Sequence, residues 1–177
     1  ERFRMGVCGL NGRGGSHIGG FGGDKRVELA WLVDPDENVL KRRLKGRKNC
    51  QGSADVRKAL EDKSLDAISV AAPNHWHSLM TIWAAQAGKH CYVEKPASHV
   101  FAEGRLLVEA ARKYNRVVQH GTQMRSSEVT AKAGEVLASG ILGTVKMSKA
   151  WNCQRHKHRP AVADSAPPSQ VDYDMWL

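Results

Sequence analysis

The chain has 177 residues, 41% of them apolar and 25% charged, which suits one packed domain with a piece of a second and excludes a wholly disordered polypeptide. Lys and Arg outnumber Asp and Glu by 27 to 18, a surplus of +9 that attracts anions without choosing among phosphates, nucleic acids and acidic surfaces. No apolar run approaches the roughly 20 residues of a membrane-spanning helix, so no membrane partner is expected.

In chain order, apolar runs of strand length alternate with helical patterns, the signature of βαβ units and a parallel sheet. Strands are expected near Arg4 to Leu10, Val27 to Asp34, Ala67 to Ala71, His90 to Val93 and Val117 to His120, with a weaker one near Lys48 to Gln51. Helices are expected near Gly15 to Phe21, Glu37 to Leu44, Ala54 to Glu61, His75 to Ala87 and Phe101 to Tyr114. The fourth carries Trp76, Leu79, Met80, Trp83, Ala84 and Ala87 at three- and four-residue spacing, a core face with Asn74 as N-cap and Gly88 at the stop. A further helix, Ser127 to Ser139, ends at Gly140 and leads into an apolar segment, Thr144 to Trp151, that reads as another strand. Beyond it, Arg155 to Arg159 is basic and histidine-rich, and Pro160, Pro167 and Pro168 punctuate a loop.

Glu1 to Arg4 run directly into the first strand without the apolar stretch of a signal peptide. Cytoplasmic residence is therefore the default expectation, and export the expectation if a leader has been removed. Cys8, Cys50, Cys91 and Cys153 lie about 40 to 60 residues apart with no C-x-x-C pair, and Cys8 and Cys91 read as small buried hydrophobes. Six of the eight residues from Lys41 to Lys48 are basic, first a solvated helix end and only second a nucleic-acid contact. His75-x-His77 and His156-x-His158 have spacing that two metal ligands could use, but a two-residue offset on a helix points side chains apart and no acid or cysteine cluster adjoins either pair. No metal is expected.

Three features carry chemistry. Gly9-Leu10-Asn11-Gly12-Arg13-Gly14-Gly15 follows the first strand and opens a helix, the arrangement that lets backbone approach a pyrophosphate at a helix N-terminus. Read as G-x-G-x-x-G, Asn11 stands at the second glycine, where its Cβ is expected to crowd the pyrophosphate unless the turn opens. Asp34 ends the second strand 25 residues after Gly9, where a carboxylate accepts from an adenosine ribose diol and repels a 2′-phosphate, favouring NAD over NADP. Lys41 to Arg43 would oppose that preference if they folded back over the ribose. Finally, Lys95 in Glu94-Lys95-Pro96 follows the strand His90 to Val93, so its ammonium is expected at the crevice beyond the strand ends, able to hold a hydroxyl and stabilise an alkoxide.

Together these pieces resemble the Gfo/Idh/MocA family of glucose-fructose oxidoreductase and inositol dehydrogenase relatives, over nearly the whole chain from Met5 to Leu177. Its most specific mark is Glu94-Lys95-Pro96 preceded by Ala87-Gly88-Lys89-His90. A second is Ala72-Pro73-Asn74-His75-Trp76-His77, and the tail Val171 to Leu177 looks like a sugar-acting subgroup. The resemblance implies an α/β Rossmann fold, a doubly wound parallel sheet over residues 1–124, followed at 125–177 by the start of a truncated second α+β domain. It assigns Gly9, Asn11, Gly12, Arg13 and Gly14 to the pyrophosphate turn and Asp34 to the ribose. Pro73, Asn74 and His77 would lie against the cofactor, Glu94 near its nicotinamide ribose, and Lys95 at the reacting carbon. His120 and Gln123 would line the substrate side, and a cis bond is implied before Pro96.

The expected activity is NAD(P)-dependent hydride transfer at a CH–OH carbon of a sugar or polyol, with NAD as cofactor. Two alternatives stand beside it: an NAD-dependent glycoside hydrolase of the same fold, and a non-catalytic dinucleotide- or nucleic-acid-binding module. The resemblance also implies a homo-oligomer for the full-length form and acid-base residues from a second domain. The isolated 177 residues are accordingly expected to bind a dinucleotide and turn over little substrate.

Overall fold

The computed structural model describes residues 2–153 and 160–177. Strands β1 (Phe3–Cys8), β2 (Val27–Val33), β3 (Gln51–Ser53), β4 (Ala67–Val70), β5 (His90–Glu94) and β6 (Val118–Gly121) alternate with helices α1 (Arg13–Gly23), α2 (Glu37–Leu44), α3 (Val56–Leu60), α4 (Asn74–Gln86) and α5 (Phe101–Lys113). The six strands form one parallel sheet in the order β3-β2-β1-β4-β5-β6. The order reverses between β1 and β4, which opens a crevice at their carboxyl ends.

Each face of the sheet is covered. Val7, Leu32, Leu29 and Leu10 pack with Ile18 of α1 and Val39 of α2 on one side. Cys8, Val33, Ile68, Val70 and Val93 pack with Val56 and Leu60 of α3 and Met80 and Ala84 of α4 on the other. A register shift between Met5 and Gly6 pairs Met5 with Leu29 and Gly6 with Trp31. The extra residue, Ala30, then joins Trp31 in the same core layer. Asp36 and Asp55 cap α2 and α3 by accepting from backbone N–H groups of their first turns.

Four expectations are corrected. The third strand lies at Gln51–Ser53 rather than near Lys48 to Gln51. Pro73 rather than Asn74 is the N-cap of α4, because Asn74 already has helical geometry and proline suits a helix entrance. The buried face of α4 is His77, Met80, Thr81, Ala84 and Ala85, with Ser78; Leu79 and Ala87 are exposed, while Trp76 and Trp83 pack at the edge of the core. Thr144 to Trp151 forms no strand, and Val145, Met147 and Trp151 are exposed; no neighbouring strand among the described residues takes up its backbone groups. Gly88 does end its helix in the left-handed conformation, φ +75°.

The chain resolves into two compact units. One runs to Gly121 and takes in Pro167–Leu177; the other spans Thr122–Ala166. The second contains a 3-10 turn (Gln123–Ser126) and α6 (Glu128–Ala138), capped by Ser127 and ending before Gly140. No side chain of α6 is buried. The last helical turn, α7 (Tyr173–Trp176), belongs to the first unit.

Candidate functional site

The glycine turn is built by exclusion. Gly9 has φ +79°, and a Cβ on it would lie 2.6 Å from the backbone of Ala71 and Ala72 at the end of β4. A Cβ on Gly14 would overlap the carbonyl of Gly9. The turn therefore seats against β4 only with glycine at both places. Gly12, at φ +52°, is the N-cap of α1 and supplies no side-chain cap, and a helix N-terminus of this kind is able to receive an anion. The positive-φ residues of the turn are Gly9 and Gly12, and Asn11 is exposed on the rim of the crevice.

Asp34 ties this turn to β2. Its carboxylate is only 7% exposed and accepts from Leu10 N–H at 2.7 Å and from Asp36 N–H at 2.9 Å. An ionised carboxylate has about four acceptor sites, so two backbone bonds leave capacity for a sugar diol. Arg43 does fold back, but onto the turn: its Nε donates to the Leu10 carbonyl at 3.1 Å, and its guanidinium occupies the space that a Gly15 side chain would take. Lys41 pairs with Glu37 on the exposed side of α2.

At the end of β5, Glu94 is buried and accepts from Arg13 Nε at 2.8 Å and shares a hydrogen bond of 3.0 Å with His17 Nε2. The other ring nitrogen of His17 meets Ser69 Oγ at 2.6 Å. Burial disfavours the Glu94 charge, but the Arg13 and His17 bonds and the Arg13 charge outweigh it and hold the carboxyl below its usual range. Arg13, assigned from the sequence to the pyrophosphate turn, thus sends its side chain to β5. Lys95 is exposed beyond Glu94, and the Lys95–Pro96 bond is cis.

Pro73 lines the crevice, whereas Asn74 is exposed and lies outside its lining. His77 is 2% exposed, behind the rim rather than on it. Its ring nitrogens face the carbonyls of Pro96 at 2.5 Å and Ala72 at 2.8 Å. His77 thus sits between the loops after β4 and β5, with a main-chain carbonyl of each within hydrogen-bond reach of its ring. His120, beside Val93 in the β5–β6 register, lines a separate cavity with Leu107 and Val118 beneath α5. Gln123 belongs to the second unit. The pair His156 and His158 lies outside the described residues, and among those described no three His, Cys, Asp or Glu side chains gather as a metal site.

Between the turn and the C-terminal segment lies a cavity of about 490 Å³, walled by Gly9, Asp34, Pro35, Ala72, Pro73 and Trp76 on the sheet side. Its other wall is Pro168, Val171, Tyr173, Met175 and Trp176. Several of these residues were missed in the sequence. His17 had a signal, since it stands four residues after Arg13 and so shares its helical face. The C-terminal wall had none, because it is joined to the site through contacts 100 or more residues apart, such as Trp76 with Trp176 and Asp36 with Val171.

A dinucleotide fits these residues: a turn with no room for a Cβ at Gly9 or Gly14, an acid just after β2 with spare acceptor capacity, and a largely apolar cavity beside it. The profile of the Gfo/Idh/MocA family, described as an oxidoreductase family with an NAD-binding Rossmann fold, matches residues 3–122. The chain is 28% identical over 172 residues to myo-inositol 2-dehydrogenase of Thermotoga maritima, covering 97% of this chain and 48% of that protein. It is 29% identical over 122 residues to glycosyl hydrolase family 109 protein 1 of Shewanella sp. strain ANA-3, covering 64% and 27%. Among solved structures, GenD2 from gentamicin A biosynthesis, in complex with NAD, superposes with a TM-score of 0.72 at 29% identity, over 79% of this chain and 40% of that one. The chain spans less than half the length of each of these relatives.

Proposed function

Because the chain belongs to this oxidoreductase family with an NAD-binding Rossmann fold, we propose that it forms the cofactor half of a dehydrogenase acting on a CH–OH carbon of a sugar or polyol. When bound, NAD supplies a nicotinamide ring that takes up hydride. The chain's own residues do the rest. Gly9 to Gly14 receive the pyrophosphate against backbone and the N-terminus of α1, and Asp34 accepts from the adenosine ribose. Lys95, exposed just beyond β5, holds the substrate hydroxyl and stabilises its oxygen while the hydroxyl proton passes to water.

Glu94 has a positioning part: pinned by Arg13 and His17, it fixes the strand end from which Lys95 projects. His77 is placed on the other side, its ring between the carbonyls of Ala72 and Pro96.

The observation that supports this reading most is the double tie of the glycine turn, through Leu10 N–H to Asp34 on β2 and through Arg13 to Glu94 on β5. It fastens the glycine turn to the carboxyl ends of β2 and β5, beside which Asp34 and the Glu-Lys-Pro motif stand. The sugar or polyol class draws support from the match to myo-inositol 2-dehydrogenase over 97% of the chain. The hydrolase reading has a narrower match, 64%, and differs in product, since it releases free sugar without accumulating NADH.

Calorimetric titration of NAD tests the proposal. Asp34→Ala is expected to weaken NAD binding about tenfold or more, as loss of a charged hydrogen-bond acceptor does, while Lys95→Ala binds NAD about as the unsubstituted chain does. Unchanged affinity in Asp34→Ala, or no NAD binding by the unsubstituted chain, overturns it.

A further inference from the structure

We propose that the segment Pro167–Leu177 is the outer wall of the adenine subsite, its Val171, Met175 and Trp176 side chains holding the base against Pro73 and Trp76. The inference rests on the NAD reading and adds to it residues from the far end of the chain.

Position along the crest identifies which part of a dinucleotide this cavity takes. In the order β3-β2-β1-β4-β5-β6, Asp34 at the end of β2 and Lys95 after β5 are three strand spacings apart, about 14 Å at about 4.8 Å each. A dinucleotide laid across the glycine turn at β1 has its adenosine ribose at Asp34 and its reacting ring toward Lys95. The base next to that ribose then falls in the cavity that Asp34 and Pro35 line. A purine is flat with two apolar faces, and the cavity offers two largely apolar walls, one from the loop after β4 and one from the C-terminal segment. Its volume of about 490 Å³ lies within the about 300–1,000 Å³ of ordinary ligand sites.

The wall is fastened through backbone atoms to the segment after β2 and to the start of α4. Val171 makes an antiparallel bridge with Asp36. Glu37 N–H donates to the Gln170 carbonyl and Asp172 N–H donates to the Pro35 carbonyl, both at 2.9 Å. At the far end the Trp176 carbonyl accepts from His75 Nε2 at 3.0 Å and Trp76 Nε1 at 3.2 Å. The Trp176 ring also stacks on Tyr173, centroids 6.0 Å apart at 8°. The segment thus crosses from the end of β2 to the start of α4. Because its hydrogen bonds run through main-chain groups of Gln170, Asp172 and Trp176, the side chains facing the cavity can be changed without removing one, although the Trp176 ring also meets the His75 ring edge-on at 6.2 Å and Met175 makes no such ring contact.

The test compares the unsubstituted chain with Trp176→Ala, Met175→Ala and Asp34→Ala by calorimetric titration of ADP-ribose and of NAD, with thermal unfolding of each. Expected are an about tenfold weakening of both ligands in Trp176→Ala, a smaller loss in Met175→Ala, and melting points close to that of the unsubstituted chain. If both wall variants bind ADP-ribose within about twofold of the unsubstituted chain while Asp34→Ala is impaired, the wall proposal falls and the NAD reading stands. If both wall variants lose affinity only in step with a fallen melting point, the segment is structural and the proposal falls as well. Should the unsubstituted chain bind neither ligand, both readings fall together.

Discussion

Arg13, the first residue of α1, and Glu94, the last of β5, are joined by a 2.8 Å bond across 81 residues of sequence. The bond locks the start of the glycine turn's helix to the strand that delivers Lys95. His17, one turn further along α1, reinforces it on the same carboxylate.

Stability should therefore depend on pH through Glu94. Its folded-state titration is held below the ordinary value of 4.5, so its charge stabilises the fold fully above that value, and the contribution is lost as pH falls through the lower folded one. Glu94→Gln is expected to cost about 1–2 kcal/mol at neutral pH, discounted because Arg13 is half exposed. The gap between variant and parent should close as the pH drops below about 4.5. Urea unfolding at stepped pH measures this, and a gap constant from neutral to acid pH contradicts it.

The turn's two left-handed glycines are not equivalent. At Gly9 a Cβ meets backbone at 2.6 Å, whereas at Gly12 nothing lies within 4 Å. Gly9→Ala should cost about 3 kcal/mol or more, because β1 and β4 must separate to admit the methyl group. Gly12→Ala should cost about 1 kcal/mol, the strain of φ +52° alone. Denaturant midpoints of the two variants decide the matter; equal losses would show that the close approach to Ala71 is not what fixes Gly9.

Thiol labelling should separate the four cysteines. Burial pushes the Cys91 thiol up to about 12 and raises Cys8 further, and burial takes half-buried Cys50 to about 11. Cys153 is exposed. A maleimide reagent at neutral pH is expected to mark Cys153 first and Cys50 slowly, with Cys8 and Cys91 marked only after unfolding. Peptide mapping of a labelling time course reads the order, and early modification of Cys91 would contradict the packing of β5 against α4.

The alternating sheet and its crest were legible in the sequence because they depend on local pattern. Apolar runs such as Met5 to Cys8 and Ala67 to Val70 can only be buried on both faces, and glycine at 9 and 14 marks close approach of backbone. The places of Asp34 just beyond β2 and of Lys95 just beyond β5 were legible in the same way. The face of α4 was misread by part of a turn, because Trp76 and Trp83 have apolar bulk that sits at the margin of the core while small Ala85 and polar His77 and Thr81 go inside. Thr144 to Trp151 has the composition of a strand, yet pairing is a property of a neighbour and not of the segment. The inward turn of His77 and the reach of Arg43 to Leu10 depend on which carbonyls the fold brings near, and residue type alone does not disclose that.

The return of Pro167–Leu177 to the first unit has a consequence for biosynthesis. All six strands will have left the ribosome while the far bank of the cavity is still untranslated, so the nascent sheet can collapse early but stays open along one side. Only after Thr122–Ala166 has been made, and Trp176 with it, can His75 and Trp76 find their carbonyl partner.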